Sequence, residues 1–491
     1  MIKDWPQTSF FGGFSDDRFM GIENSFRYAK GVEIRKNPNS LTLAYKPEAE
    51  TISLTNKVNA MVTIKSTGDI IAFCEDGKIF RKPTGTGSWA LAYTDTGSAA
   101  IINALEYNNY LYWFTAGNLH RIAIANIDAS WSGDVTEDYK AFTNDNANAH
   151  PAIELNNKMY VGDGFYLAEL DSLGTWTADK LMIFNDEEIR GLTTGGSVMR
   201  IFSRKSTKTQ GGHKYYWDGA DTVYKERVYF DQTIHTAFSD GGEDYVIAGV
   251  RPFLYKSSGY SWIPLKRFPL VYDNEQLFVA ANAIDKYDGL LVFGTAESGS
   301  GSIGRGVWTY GQEDSKYPNS LNFDYPTSND NNTDIVPCVH NSNGVLYFSW
   351  KKTVAGDPVT YTYGIDKVNT SKYATSGSLH SRVMYGDKAS QEKTAVAIEA
   401  AFEKILAGEK IEIFMRKNLA TSWEEAAELD IKYATEDDRD LNFKRLDDAL
   451  DIGDFSFLET KILLTAGTSQ ATTPELVELS VQFDDGLEQS D

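Results

Sequence analysis

The chain has 491 residues, 42% hydrophobic and 24% charged, enough for packed cores and too long for one ordinary domain. Its 47 Lys and Arg against 69 Asp and Glu leave a formal charge of −22, a surface that repels phosphate backbones and argues against a nucleic-acid partner. Two cysteines exclude a disulfide framework and a four-cysteine zinc site, while 27 Tyr, 26 Phe, 10 Trp and 40 Gly beside only 13 Pro favour short strands joined by tight turns.

Met1 to Phe14 hold Asp4, Pro6 and a Gly pair, with no basic region leading into an apolar run. No segment approaches the roughly 18 uncharged apolar residues that span a bilayer. The expectation is a protein made in the cytosol without a signal peptide and without membrane insertion. Residues 1–50 read as an N-terminal arm, with Ser40-Leu41-Thr42-Leu43-Ala44-Tyr45 as a strand that closes the domain downstream of it.

From residue 51 a repeat appears. Small-residue turns end in Ser/Thr-Trp at Trp89, Trp131, Trp176 and Trp262, spaced by 42, 45 and 86 residues, the last being two steps of 43. The missing beat falls at Lys214-Tyr215-Tyr216-Trp217-Asp218-Gly219, a sixth at Gly306-Val307-Trp308-Thr309-Tyr310, and a seventh at Thr360-Tyr361-Thr362-Tyr363-Gly364. Within a beat, apolar residues alternate with period two, as strands do. Ala60-Met61-Val62-Thr63-Ile64, Ile70-Ile71-Ala72-Phe73-Cys74, Ile79-Phe80-Arg81 and Trp89-Ala90-Leu91-Ala92-Tyr93 are four strands, with Asp76-Gly77 a hairpin turn. Four short strands every 40–50 residues, about seven times, predict an all-β, about seven-bladed β-propeller over residues 51–384. A stack of β-sandwiches is the alternative.

Residues 385–491 differ. They carry 25 Asp and Glu against 11 Lys and Arg, a net of −14, and longer strands at Lys410 to Arg416, Leu458 to Leu464 and Leu476 to Phe483. Clean alternation in the last predicts a sheet with one wet side, hence an acidic C-terminal β-sandwich, jelly-roll-like. Ala395 to Leu406 reads as strand because Val396, Ile398, Ala400 and Phe402 alternate; a helix capped by Gly408 is the alternative.

Chemistry-bearing patterns are sparse. Asp171-Ser172-Leu173-Gly174-Thr175-Trp176 approaches the aspartate box of sialidase propellers, with the wrong Asp-to-Gly spacing, and such boxes form turns. Gly299-Ser300-Gly301-Ser302-Ile303-Gly304 fits G-x-G-x-x-G but lies between strands, so it reads as a hairpin loop. His120, His150, His213, His235, His340 and His380 are not spaced as ligands, and read as turn or surface residues. The Asn329 to Asp334 loop offers oxygens for calcium but lacks a distal Glu, so a solvated loop is favoured. Glu424-Glu425 and Glu436-Asp437-Asp438 read as solvated faces. Cys74 and Cys338 fall in the first and last beats, as two buried thiols or, alternatively, a disulfide. No catalytic, cofactor-binding or metal residue is assigned.

The opening Thr8-Ser9-Phe10-Phe11-Gly12-Gly13-Phe14-Ser15-Asp16-Asp17, with Gly21-Ile22-Glu23-Asn24-Ser25-Phe26 and Gly31-Val32-Glu33-Ile34-Arg35, resembles the start of propeller proteins of tailed-bacteriophage particles. Tyr107-Asn108-Asn109-Tyr110-Leu111-Tyr112-Trp113 and Leu119-His120-Arg121-Ile122 are similar to their blades, and Thr473-Pro474-Glu475-Leu476-Val477-Glu478-Leu479 to closing strands of virion proteins. The resemblance implies a non-enzymatic virion component of the tail or its distal end. Its implied partners are other virion proteins in a symmetric assembly, with a host surface glycan or protein as a further partner and no cofactor. The alternatives are a carbohydrate-binding or glycan-cleaving propeller and an intracellular scaffold.

Overall fold

The computed structural model describes residues 2–15, 24–37, 39–127, 131–144, 147, 149–207, 211–250, 252–268, 276–298, 305–329, 333–354, 359–385, 392–420, 422–425, 431–432, 443–447 and 454–484. Among these the chain is all-β, with a single 3₁₀ turn at Ile124–Asn126. Compactness divides it into one unit of residues 49–307 and 327–367 and another of residues 1–48, 308–326 and 368–491.

The first unit holds most of a seven-bladed β-propeller. Blade 1 is Val58–Thr63, Ile70–Cys74, Lys78–Lys82 and Ala90–Thr94; blade 2 is Asn103–Tyr107, Tyr110–Phe114, Asn118–Ala123 and Thr136–Ala141. Blade 3 is Ala152–Leu155, Lys158–Asp163, Tyr166–Asp171 and Trp176–Met182; blade 4 is Glu187–Gly195, Val198–Lys205, Gly212–Trp217 and Glu226–Phe230. Blade 5 is Ile234–Asp240, Glu243–Ala248, Phe253–Ser258 and Ser261–Arg267. Blade 6 begins with Ile284–Tyr287 and Leu290–Gly294, continuing through Gly306–Gly311 and Ser320–Pro326. Blade 7 is Val339–Ser342, Val345–Val354 and Thr360–Tyr373, and its outer strand is Tyr45–Ala49. The innermost strands touch in a closed cycle, the seventh returning to the first.

Alternation explains the ring. In blade 2, Leu111 and Trp113 join the core shared with blade 1, while Tyr112 and Phe114 join the core shared with blade 3. Successive side chains point to opposite faces, so one strand fills two interfaces, and second strands such as Ile70–Cys74 are buried throughout. Tryptophans mark five of the seven joints. Trp89, Trp131 and Trp217 lie in the cores with the preceding blade, and Trp176 and Trp262 pack against theirs. The phase differs between blades: Trp176 and Trp262 lie in outer strands, Trp217 and Trp308 in third strands.

Two expectations are corrected. The ring is closed by a strand within residues 1–50, as expected, but it is Tyr45–Ala49, which shares only Tyr45 with the expected run; Thr42–Leu43 instead pairs with Val32–Glu33, and Leu41 bridges to Leu476. The arm expected over residues 1–50 is woven into the second unit, a sandwich of two sheets. One sheet runs Ile2–Gln7, Leu476–Asp484, Lys393–Phe402, Phe443–Asp447, with Asp454–Phe455 on Lys393–Phe402. The other runs Phe26–Lys30, Ser376–Ser381, Leu458–Thr465, Lys410–Lys417, Glu424–Glu425, with Ile431–Lys432 on Lys410–Lys417. Ser376–Ser381 is central to that sheet, so its continuity runs across the expected 384/385 boundary. The ambiguous Ala395 segment is strand, with Ala397, Ile398, Ala400 and Phe402 buried.

Candidate functional site

The middle of the ring is tied by amides. Asn59 Nδ2 donates to Ile101 O and Asn103 Nδ2 to His150 O, each linking a blade to the next. Asn282 Nδ2 donates to Asn59 O at 2.8 Å and to Ile102 O at 2.9 Å. Asn282 leads into blade 6, which is no neighbour of blade 2, so this link passes through the inside of the ring.

Charged side chains between blades 4 and 5 satisfy one another. Asp244, fully buried, accepts from Thr193 Oγ1 at 2.7 Å and pairs with Arg200 Nε at 2.9 Å and Lys214 Nζ at 3.2 Å. Burial lowers the Lys214 ammonium from its ordinary range, with Asp244 opposing. Within blade 4, Glu187 accepts from Ser203 Oγ at 2.5 Å, His213 Nδ1 at 2.6 Å and Tyr215 Oη at 2.7 Å. Ser203 addresses the carboxylate rather than the imidazole, so these three do not form the serine-to-histidine relay of a hydrolase. They hold the buried Glu187 side chain in place.

The histidines are the clearest departure from expectation. His120, His150 and His235 are buried, because blades with two covered faces leave few wet positions. Burial pushes His235 down to about 3, helped by Arg190 and Arg204, His340 to about 4, and His380 to about 3. Each sits on a different blade or in the sandwich, and no His/Cys/Asp/Glu group among the described residues is arranged to hold a metal. Cys74 and Cys338 are free, buried in one apolar cluster at the joint of blades 7 and 1, and burial raises both thiols.

Asp171-Ser172-Leu173-Gly174-Thr175-Trp176 forms a turn: Asp171 Oδ1 accepts from Leu173 N at 2.9 Å and Thr175 N at 2.8 Å, and Gly174 has φ +84°. The Gly299 to Gly304 loop, Glu436-Asp437-Asp438, Asp16-Asp17, Gly21-Ile22-Glu23 and residues 330–332 of the proposed calcium loop lie outside the described residues. Of that loop's ends, Asn329 accepts from Lys352 Nζ at 2.9 Å and Asp334 accepts from Thr353.

In the second unit the Gly31-Val32-Glu33-Ile34-Arg35 segment is a clamp. Arg35 donates to Ser320 Oγ at 3.0 Å, Asp324 Oδ2 at 3.0 Å and Thr309 Oγ1 at 2.8 Å, with every partner buried. Glu33 accepts from the Ile34 and Arg35 amides, yet burial and Asp324 push it up to about 7. Gly13, at φ +68°, lies against Ser320, whose Cβ would stand 2.6 Å from an added methyl. These motif residues bind the chain to itself.

Two surfaces stand out among the described residues. A cleft in the sandwich unit is lined by Asp4, Trp5, Gln7, Asn24, Ser25 and Arg382, among others. On the propeller, Leu173 is 91% exposed, Val223 66%, Tyr260 65% and Tyr229 59%, and Met182 and Ile263 are exposed too. All six lie on outermost strands of blades 3, 4 and 5 or in turns leading into them, and Leu91, also exposed, lies on the outermost strand of blade 1. Neither surface was legible as a motif, since the cleft gathers four distant segments and the apolar residues are scattered singly in sequence.

The fold defines a class, a seven-bladed propeller joined to a sandwich. No helix among the described residues is long and apolar enough to cross a bilayer. No family model matches the chain, and no curated protein matches it in sequence. Among solved structures, the crystal structure of Raptor from Chaetomium thermophilum is similar at a TM-score of 0.45 and 11% identity, covering 67% of this chain and 30% of Raptor's. At that level the similarity bears on neither ligand nor partner.

Proposed function

We propose that the protein is a non-catalytic structural component of a bacteriophage particle, in the tail or at its distal end, assembled with other virion proteins in a symmetric array. The observation that carries it is the apolar rim: outermost strands present an unpaired edge, and here they and the turns leading into them also present Leu173, Met182, Tyr229 and Ile263 to solvent. Buried charges in blades 4 and 5 and at Arg35 have structural partners, in keeping with a rigid part rather than a catalyst.

The test is incorporation. Leu173→Asp, Tyr229→Asp and Ile263→Asp, made singly, should leave the melting temperature nearly unchanged because the side chains are exposed. Particles assembled with them should hold several-fold less of the protein. Normal incorporation of all three would remove the rim as an assembly surface, and turnover of a glycan or ester above about 1 s⁻¹ would remove the non-catalytic assignment.

A further inference from the structure

The sandwich cleft has the chemistry of a binding site, and its occupant need not be a virion protein. Its volume is about 290 Å³ and it opens beside Ile2–Gln7, the edge strand of its sheet. Ser25 is 4% exposed, and its Oγ has no hydrogen-bond partner; the Gln7 Nε2 is buried and likewise donates to nothing among the described residues. Buried polar atoms without partners cost free energy and are rare, so two on the wall of one cleft mark a place where a ligand supplies the missing bonds.

We propose that this cleft binds a neutral saccharide residue. The lining offers carboxylate, amide and hydroxyl groups from Asp4, Gln7, Asn24 and Ser25, which between them accept and donate as the adjacent hydroxyls of a sugar require. The half-buried Trp5 brings an amphipathic ring that packs against sugar C–H groups. Asp4 and Arg382 contribute one formal charge of each sign, so the lining favours no net charge in its ligand.

A strand-forming peptide fits less well. Pro6, next to last in the edge strand, lacks an N–H, and the exposed Asp4 two residues before it guards that edge against strand addition. The volume also suits one or two sugar rings better than an extended segment. The site stands independently of the particle assignment above.

The experiment uses the full chain and a panel of neutral, acetamido and acidic monosaccharides and their short oligomers, read by saturation-transfer NMR and then by titration. At least one neutral or acetamido sugar should bind. Gln7→Ala and Ser25→Ala should each weaken it, Gln7→Ala by about 10-fold, with the melting temperature unchanged. Trp5→Ala should abolish binding; should that variant fold poorly, Trp5→Phe should retain part of it. Binding of acidic sugars alone, of no sugar, of an extended peptide instead, or of a sugar indifferent to both Gln7→Ala and Ser25→Ala would overturn the proposal.

Discussion

Trp131 and Trp176 share a place in the repeat but not an environment. Trp131 is fully buried between blades 1 and 2, so Trp131→Ala should destabilise by about 3–5 kcal/mol through cavity formation. Trp176 is partly exposed, held by its Nε1 on Ala141 O and by Phe142, and its alanine variant should lose less. Denaturant titration of both checks the order. His235 gives a pH prediction with a definite sign. Its Nδ1 accepts from Val279 N, and a proton there would set two donors face to face beside Arg190. Above its ordinary value near 6.5 the ring is neutral folded or unfolded; below it the unfolded chain takes up a proton that the folded one refuses until about 3. Stability therefore falls with acid through that window, by about 1.4 kcal/mol per pH unit from this residue. Glu33, raised to about 7, acts in the opposite direction between about 7 and its ordinary 4.5, so the comparison must be with His235→Gln. The melting temperature of that variant should fall less steeply from pH 6.5 to 4.5 than that of the unmodified protein; parallel profiles would refute the assignment.

At the scale of elements, the blades were legible because their signal is local. Hairpins such as Asp76-Gly77 and runs such as Tyr110–Phe114 carry period-two patterning within a few residues. Weaving of the chain ends was not legible. Ile2–Gln7 reads Ile-Lys-Asp-Trp-Pro-Gln, with a proline and no apolar alternation, and its partner Leu476–Asp484 lies at the far end of the sequence. The cleft shares that cause, since Asp4, Asn24, Arg382 and Leu479 meet only after both ends have paired. Truncation after Met384 would remove Leu476–Asp484 and Leu458–Thr465, stripping partners from Ile2–Gln7 and Ser376–Ser381. Such a chain should be insoluble or lose its cooperative unfolding; a soluble product with an intact all-β circular dichroism spectrum would show that the propeller does not need those strands. Arg35→Ala, which strands Asp324 without its cation, should destabilise by about 3–5 kcal/mol, measured by the same denaturant titration.

For the whole molecule, the proposed role draws on three properties: a closed ring, exposed apolar residues on the outer edges of blades 3, 4 and 5, and a formal charge of −22, which under that proposal would keep free copies apart and favour basic docking partners. A symmetric array would multiply weak rim contacts, with avidity gains of about 10²–10⁴ over a single contact. Histidine burial and the sandwich's dependence on both chain ends fit a part that holds its shape. The most direct test is quantitative mass spectrometry of purified particles. A polypeptide of this 54.7 kDa chain should be present in a fixed copy number matching a symmetric position of the tail. Its absence from washed particles, or a trace amount that varies between preparations, would contradict the central claim.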